Sequence, residues 1–279
     1  MQAYRHMDVG TAKPSRRLLE KLPHHLVSFI EPSVQYNAGA FVKSAEALIV
    51  EITGRGGVPI VCGGTAFYIR SLLCGLPESP PGSAESRERL KKREKEEGAA
   101  GLYKELMRVD PEAARRIQPR DRHRIMRALE ILETSGRSQF SFRWPREIRA
   151  DYRFLILGLE RPRDELYARI DSRVEQMFRD GLVDEVKRLS AMGFVPEDPG
   201  MQAIGYREFF LMRRGCGTMS DVKEEIQRNS RRYAKRQLTF FRMVPRVQWK
   251  NPAVREEILR LIKEFMEGQA LDLRDGKRQ

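Results

Sequence analysis

The chain has 279 residues, with 52 Lys and Arg against 39 Asp and Glu and a formal net charge of +13. That length allows two domains and at least one sizeable core, and the cationic excess favours a polyanionic partner, nucleic acid first and an acidic membrane surface second. No apolar run approaches the roughly 18 residues of a membrane span, no charged-then-apolar signal segment is present, and neither Cys62, Cys74 and Cys216 nor the four scattered histidines have metal-ligand or disulfide-framework spacing. A cytoplasmic protein with buried, inert thiols is expected.

Met1 to Pro14, MQAYRHMDVGTAKP, has little room for a regular element. It fits an ordinary polar loop. It equally fits a binding loop, since Gln and Asp can read a base edge and Lys13 can meet a phosphate. Leu26 to Ile30 reads as a strand closed by Glu31-Pro32. Asn37 is a good helix cap, and Phe41, Ala45, Leu48 and Ile52 recur at helical spacing until Gly54, Gly56 and Gly57.

Next comes VPIVCGGTAFYIR, Val58 to Arg70. Pro59, Ile60, Val61 and Cys62 read as a short strand covered on both faces. Gly63-Gly64-Thr65 then make an abrupt turn into a helix, a place where backbone can approach a ligand and a helix N-terminus can meet phosphate. Alternating helix and strand predict an α/β core with a parallel sheet.

After Leu76 the texture changes. Pro77, Pro80, Pro81 and Gly82 make a linker, and from Ser83 to Ser135 no strand is evident. Asp110-Pro111 is a cap followed by proline at the first helical position. The helix over Arg122–Thr134 buries Ile125, Leu129 and Leu132. Its other side carries Arg120, Arg124 and Arg127 at i, i+4 and i+7, with His123 beside them. Such a stripe is either a solvated face or a phosphate-backbone contact. Residues 78–147 read as an all-helical insertion between core segments 1–77 and 148–279.

Phe154 to Leu159 returns to strand character. A helix from about Asp164 to Asp180 buries Leu166, Ile170, Val174 and Met177 and sets Arg169 and Arg173 one turn apart. Their stems can pack with heads in water, or an anion can sit between them. A short helix, Leu182 to Ala191, follows. Gln202–Arg207 reads QAIGYR, with Gly205 free to bring the backbone close to something. A helix from Ser220-Asp221 ends in RRYAKRQLTFFR, where cations interleave with aromatics, a composition suited to RNA backbone and bases. Trp249 sits near a last strand, and a terminal helix precedes a loose tail after Gly268.

In this order the segments resemble the tRNA dimethylallyltransferase (tRNA isopentenyltransferase) family. The resemblance is carried by YRHMDVGTAKP, VCGGTAFYIRSLLCGL, DRHRIMRALEI, RIDSRVEQM, QAIGYRE and YAKRQLTFFR, and it covers nearly the whole chain. It implies a P-loop NTPase-like α/β core with a helical insertion. It also implies transfer of the dimethylallyl group from dimethylallyl diphosphate to the exocyclic N6 amine of the adenosine 3′ of the anticodon, in tRNAs reading codons that begin with U. The base would be flipped into a channel, with the diphosphate and Mg2+ entering from the other end. By this resemblance Arg173 and Thr65 are catalytic, and Gly63, Gly64, Thr65 and Arg173 bind the diphosphate. Gln2 lies in the stretch that holds the adenosine. The tRNA contacts would be Arg87; His123, Arg124 and Arg127; Gln202, Gly205, Tyr206 and Arg207; and Lys235, Arg236, Gln237 and Arg242. The partners implied are a tRNA anticodon stem-loop and dimethylallyl diphosphate. A monomer without membrane attachment is expected.

The sequence departs from the family at one point: no GxxxxGK[ST] phosphate loop and no Asp-Ser pair before Met1 are present. The expectation is that the natural protein is longer by about 40 residues carrying sheet strands, and that the chain alone neither folds well nor transfers prenyl groups, since a parallel sheet without its middle strands has unpaired edges. The alternatives are a shortened, non-catalytic tRNA-binding protein and, less suited to the basic helices, a small-molecule P-loop kinase.

Overall fold

The structure, a computed structural model, describes residues 1–212 and 217–275. Its elements in chain order are α1 (Arg16–Lys21), α2 (Ala38–Gly54), α3 (Ala66–Cys74), α4 (Ala84–Val109), α5 (Pro111–Arg116), α6 (Arg122–Ser135), a single 3-10 turn at Gln139–Ser141, β1 (Leu157–Leu159), α7 (Arg163–Arg179), α8 (Leu182–Ala191), α9 (Arg207–Met212), α10 (Met219–Phe241), β2 (Gln248–Lys250) and α11 (Arg255–Asp275). The chain divides into two units, Met1–Leu73 with Ala150–Gln279, and Cys74–Arg149.

In the first unit the sheet is small. β1 and β2 pair in parallel, Gly158 opposite Trp249, and the expected Leu26–Ile30 strand reduces to one parallel bridge between Tyr4 and Ile30. The expected strand at Pro59–Cys62 is absent. A strand is defined by the backbone beside it, and Val58 to Cys62 form no ladder with any described segment. Val58, Ile60 and Val61 are consequently 47%, 80% and 44% exposed, and Cys62, expected to be buried, is exposed while Cys74 is buried. Cys216 lies outside the described residues. The α/β character therefore rests on helices around one short parallel pair.

The helices follow local chemistry. Asn37 caps α2 by accepting from the Ala40 N–H at 2.9 Å. Thr218 and Asp221 form a reciprocal capping box at the start of α10. The main core gathers Met7 from the N-terminal loop, Val174 and Met177 from α7, Leu182 and Leu189 from α8, and Ile226 from α10. Each such buried side chain is worth about 1.5–3 kcal/mol, so α7, α8 and α10 are fixed to one another. α11 continues past Gly268, where a loose tail is expected, to Asp275.

The second unit is wholly helical among its described residues. Gly98, at φ 71° and ψ 173°, breaks α4 into two arms; a residue with a Cβ resists that conformation. Asp110 caps α5 through the Ala113 N–H at 3.0 Å, and Gly136 ends α6 in the left-handed region. Leu90, Leu102, Leu106, Ile125 and Leu129 make its core. No described helix is long and apolar enough to cross a membrane.

Candidate functional site

On α7 Arg173 is exposed, while Val174 beside it and Met177 one turn on are buried. It lines an open cleft of about 920 Å³ whose other walls are the loop Asp8–Arg16 and the segment from Pro23 to Ser28. The lining is apolar at Val9, Leu19, Val27 and Met177 and charged at Asp8, Lys13, Arg16, Asp180 and Arg173. Most of those charges are already paired. Lys13, with its side chain 5% exposed, holds Asp8 Oδ1 at 2.8 Å and donates to the Tyr4 carbonyl at 2.5 Å. Arg16 pairs with Glu20 at 3.0 Å, and Asp180 accepts from the Gln176 amide at 2.6 Å. Arg173 has no ion-pair partner among the described residues. A guanidinium left in this state offers a planar donor pair to an incoming anion.

The wall facing Arg173 is an ordered loop. The Gln2 amide donates to the Thr11 and Ala12 carbonyls at 3.1 and 2.9 Å, and the Thr11 hydroxyl donates to the Met7 carbonyl at 2.5 Å. Gln2 thus has its donor committed to the loop and its carbonyl oxygen left over. Lys13, read as able to meet a phosphate, is instead a structural cation, because the loop folds back over its ammonium.

The glycine turn is placed elsewhere in the same unit. Gly63, Gly64 and Thr65 precede α3, and none of them is among the residues that line the cleft. The Thr65 carbonyl accepts the first helical N–H groups, from Tyr68 at 2.9 Å and Ile69 at 3.2 Å. Gly64 meets the basic helix: Gln237 Nε2 donates to its carbonyl at 2.6 Å. The structure therefore joins Gly64 to Gln237, two residues assigned to different roles by resemblance, and does not bring the turn and Arg173 into one lining.

On α10, Lys235 and Arg236 are exposed. The Arg236 guanidinium lies 5.9 Å from the Tyr233 ring centre, a contact that keeps a cation and an aromatic face presented together. Arg231 is bound to Asp171 at 2.5 Å and Arg242 to Glu160 at 2.9 Å. Of the QAIGYR run, Gln202 is exposed and its amide donates to the Pro196 carbonyl. Arg207 reaches Glu208 at 3.1 Å. Tyr206, expected on an RNA-contacting surface, is fully buried, as its ring packs on Gly10. Gly205, at φ +98°, turns the chain there and donates to Glu208 at 2.9 Å, so it is likewise an internal residue.

In the helical unit, Arg87 and Arg127 both bind the buried Glu130, at 3.1 and 2.7 Å. Arg127 also donates to the Pro80 carbonyl at 2.8 Å. They hold the linker to α6, with their side chains still 44% and 34% exposed. His123 and Arg124 are exposed.

Two buried carboxylates had no signal in the sequence. Glu185 on α8 and Glu208 on α9 are both buried, and the partners of Glu185 at Asp8, Val9 and Gly10 lie far from it in sequence. Burial and the adjacent Glu185 push the Tyr206 phenol far above its ordinary range. Burial, with Tyr4 and Tyr36 adding, raises Tyr68 to about 12.

A guanidinium without an ion-pair partner among the described residues over a partly apolar cleft, and exposed cations beside an aromatic ring on α10, suit a small anion with a hydrocarbon part and a polyanionic chain. The chain belongs to the IPP transferase family, whose model matches residues 2–244. It is 43% identical over 250 residues to the tRNA dimethylallyltransferase of Geobacter sulfurreducens, covering 89% of this chain and 80% of that protein. It is 44% identical over 252 residues to the enzyme of the same name from Syntrophobacter fumaroxidans, covering 89% and 73%. Among solved structures, the full-length tRNA isopentenylpyrophosphate transferase of Bacillus halodurans matches with a TM-score of 0.68 at 33% identity, over 100% of this chain and 88% of that one. A eukaryotic dimethylallyltransferase shares the fold with a TM-score of 0.75 at 24% identity, over 96% and 71%.

Proposed function

We propose that this protein is a tRNA dimethylallyltransferase acting on the adenosine 3′ of the anticodon in tRNAs that read codons beginning with U. The N6 amine attacks the first carbon of dimethylallyl diphosphate. The new C–N bond forms as the carbon–oxygen bond to diphosphate breaks, diphosphate leaves with the electron pair, and N6 releases one proton. The geometric observation that carries this reading is Arg173: exposed, without an ion-pair partner among the described residues and facing an amphipathic cleft, it can neutralise charge that grows on the leaving diphosphate. The apolar lining residues suit the five-carbon group. Family membership over most of the chain supplies the reaction.

Lys235, Arg236 and the Tyr233 face serve the tRNA backbone and bases, joined by the exposed Gln202. In residues 78–147 the exposed His123 and Arg124 serve the anticodon loop. Gln2 keeps an acceptor for the adenosine, and Thr65 and Gly63 keep a helix-start turn for phosphate. A P-loop-type core is part of this proposal, supported by the parallel direction of β1 and β2 and by the helical crossover from α7 to α10 that joins them.

Magnesium is expected from the resemblance. Among the described residues no three of His, Cys, Asp and Glu gather closely enough to hold a metal ion, and the cleft carboxylates Asp8 and Asp180 are bound to Lys13 and Gln176. A cage of three protein ligands for magnesium is thus absent among the described residues. A magnesium ion carried on the diphosphate oxygens is the form consistent with this chain.

The test is mass analysis of the anticodon-loop adenosine in tRNA from cells with and without the gene for this protein. Addition of one five-carbon group at the adenosine 3′ of the anticodon is expected. RNA that binds but is never modified would support a non-catalytic tRNA-binding protein instead.

A further inference from the structure

Three consecutive backbone N–H groups of the cleft wall converge on one carboxylate. Glu185 Oε2 accepts from Asp8 at 2.8 Å and Val9 at 2.9 Å, and Oε1 accepts from Gly10 at 3.0 Å. Converging N–H groups of this kind ordinarily gather a free anion; here the anion is the chain's own. Glu185 is 2% exposed. The Tyr206 hydroxyl donates to its Oε1 at 2.6 Å. The Tyr206 ring presses so close on Gly10 that a Cβ there would stand 2.6 Å from Tyr206 Cζ. The turn before Tyr206 is pinned in its own right, Gly205 donating to Glu208, which also accepts from Asn229 at 2.9 Å.

The same loop lines the cleft at Asp8, Val9, Ala12 and Lys13, across from Arg173, Gln176 and Met177. α8 docks through Leu182, Val186 and Leu189, so its packing does not require a carboxylate at Glu185. A neutral amide of the same size would turn its own N–H groups toward at least one backbone N–H, leaving a donor unmet.

We propose that Glu185 and Tyr206 are positioning residues of the prenyl-transfer site: from behind the wall they hold the Asp8–Lys13 loop in the shape that preforms the Arg173 cleft for diphosphate, although neither meets the substrate. This rests on the reading of that cleft as the diphosphate site.

The experiment compares the wild type with Glu185→Gln and Tyr206→Phe, and uses Lys187→Ala, exposed on the same helix, as a control. Amide hydrogen exchange over Met7–Lys13 should accelerate about tenfold or more in Glu185→Gln and less in Tyr206→Phe, with α10 unchanged. KM for dimethylallyl diphosphate should rise about fivefold or more, while Kd for an anticodon stem-loop RNA stays within about twofold. A smaller folded fraction lowers rate but does not move KM, so the split separates positioning from loss of fold. Unchanged exchange overturns the proposal, as does faster exchange with an unmoved KM. Should the wild type transfer no prenyl group, the functional reading alone fails, and calorimetric Kd for inorganic diphosphate decides: weaker binding in Glu185→Gln sustains the proposal, while equal binding, or none by the wild type, ends it. If Glu185→Gln does not fold, Tyr206→Phe carries the same readouts.

Discussion

Gln237 Nε2 donates to the Gly64 carbonyl at 2.6 Å, tying the basic helix α10 to the turn that starts α3. A Cβ on Gly64 would overlap that amide nitrogen. Gly64→Ala should therefore displace Gln237 and lose the bond, destabilising the protein by about 1 kcal/mol in urea unfolding. Gln237→Ala should cost a similar amount. The double variant should cost little more than either one; full additivity would show that the two residues are not coupled.

Arg173→Ala should lower single-turnover prenyl transfer by about 10²-fold or more, the scale of losing a charge stabiliser at the leaving group. Because the side chain is exposed and unpaired among the described residues, thermal stability should stay near the wild-type value. Arg173→Lys should recover only part of the rate, since an ammonium cannot offer the two-donor fork. An Arg173→Ala protein with wild-type turnover would remove this residue from the mechanism.

RNA binding should be salt-dependent, and Lys235→Ala and Arg236→Ala should each reduce the slope of log Kd against log salt by about 1. Arg231→Ala should behave differently. Its charge is already held by Asp171 at 2.5 Å, so the expected loss is in stability, with little change in salt slope. Equal slopes for all three variants would mean that the ion pairs on α10 do not sort its cations.

Tyr68 should titrate near 12 by phenolate absorbance, against the ordinary 10.0. The sign follows from the raised value. The folded state keeps its proton longer than the unfolded chain, so the stabilising contribution is whole below about pH 10 and is lost as pH climbs through about 12. Tyr4, Tyr36 and Tyr206 shift in the same direction. Alkaline unfolding above about pH 10 is expected, and Tyr68→Phe should shallow it; a Tyr68 that titrates at the ordinary value would remove this contribution.

Helices were legible in the sequence because their signals are local. Asn37, Asp110 and Gly136 mark ends that depend on only a few neighbouring residues, and all three act as read. The run Pro59–Cys62 reads as a strand but forms none for the opposite reason: apolar residues state a preference for burial, while a strand requires a second backbone, and none of the described segments supplies one. Charge was the hardest property to read. Arg87, Arg127 and Lys13 look like surface cations in composition, yet each is bound to a carboxylate, Glu130 or Asp8. Arg173, by contrast, has the same composition and no such partner among the described residues. Only the fold distinguishes an occupied cation from an available one, and only the fold shows why Glu185 is acidic.

The Val58–Val61 run has a practical consequence. An exposed apolar run with its amides and carbonyls unladdered is a template onto which another chain can add. Concentrated solutions should begin to clump at this spot, and Ile60→Lys, which places a charge at the most exposed side chain of the run, should raise the concentration at which light scattering first appears.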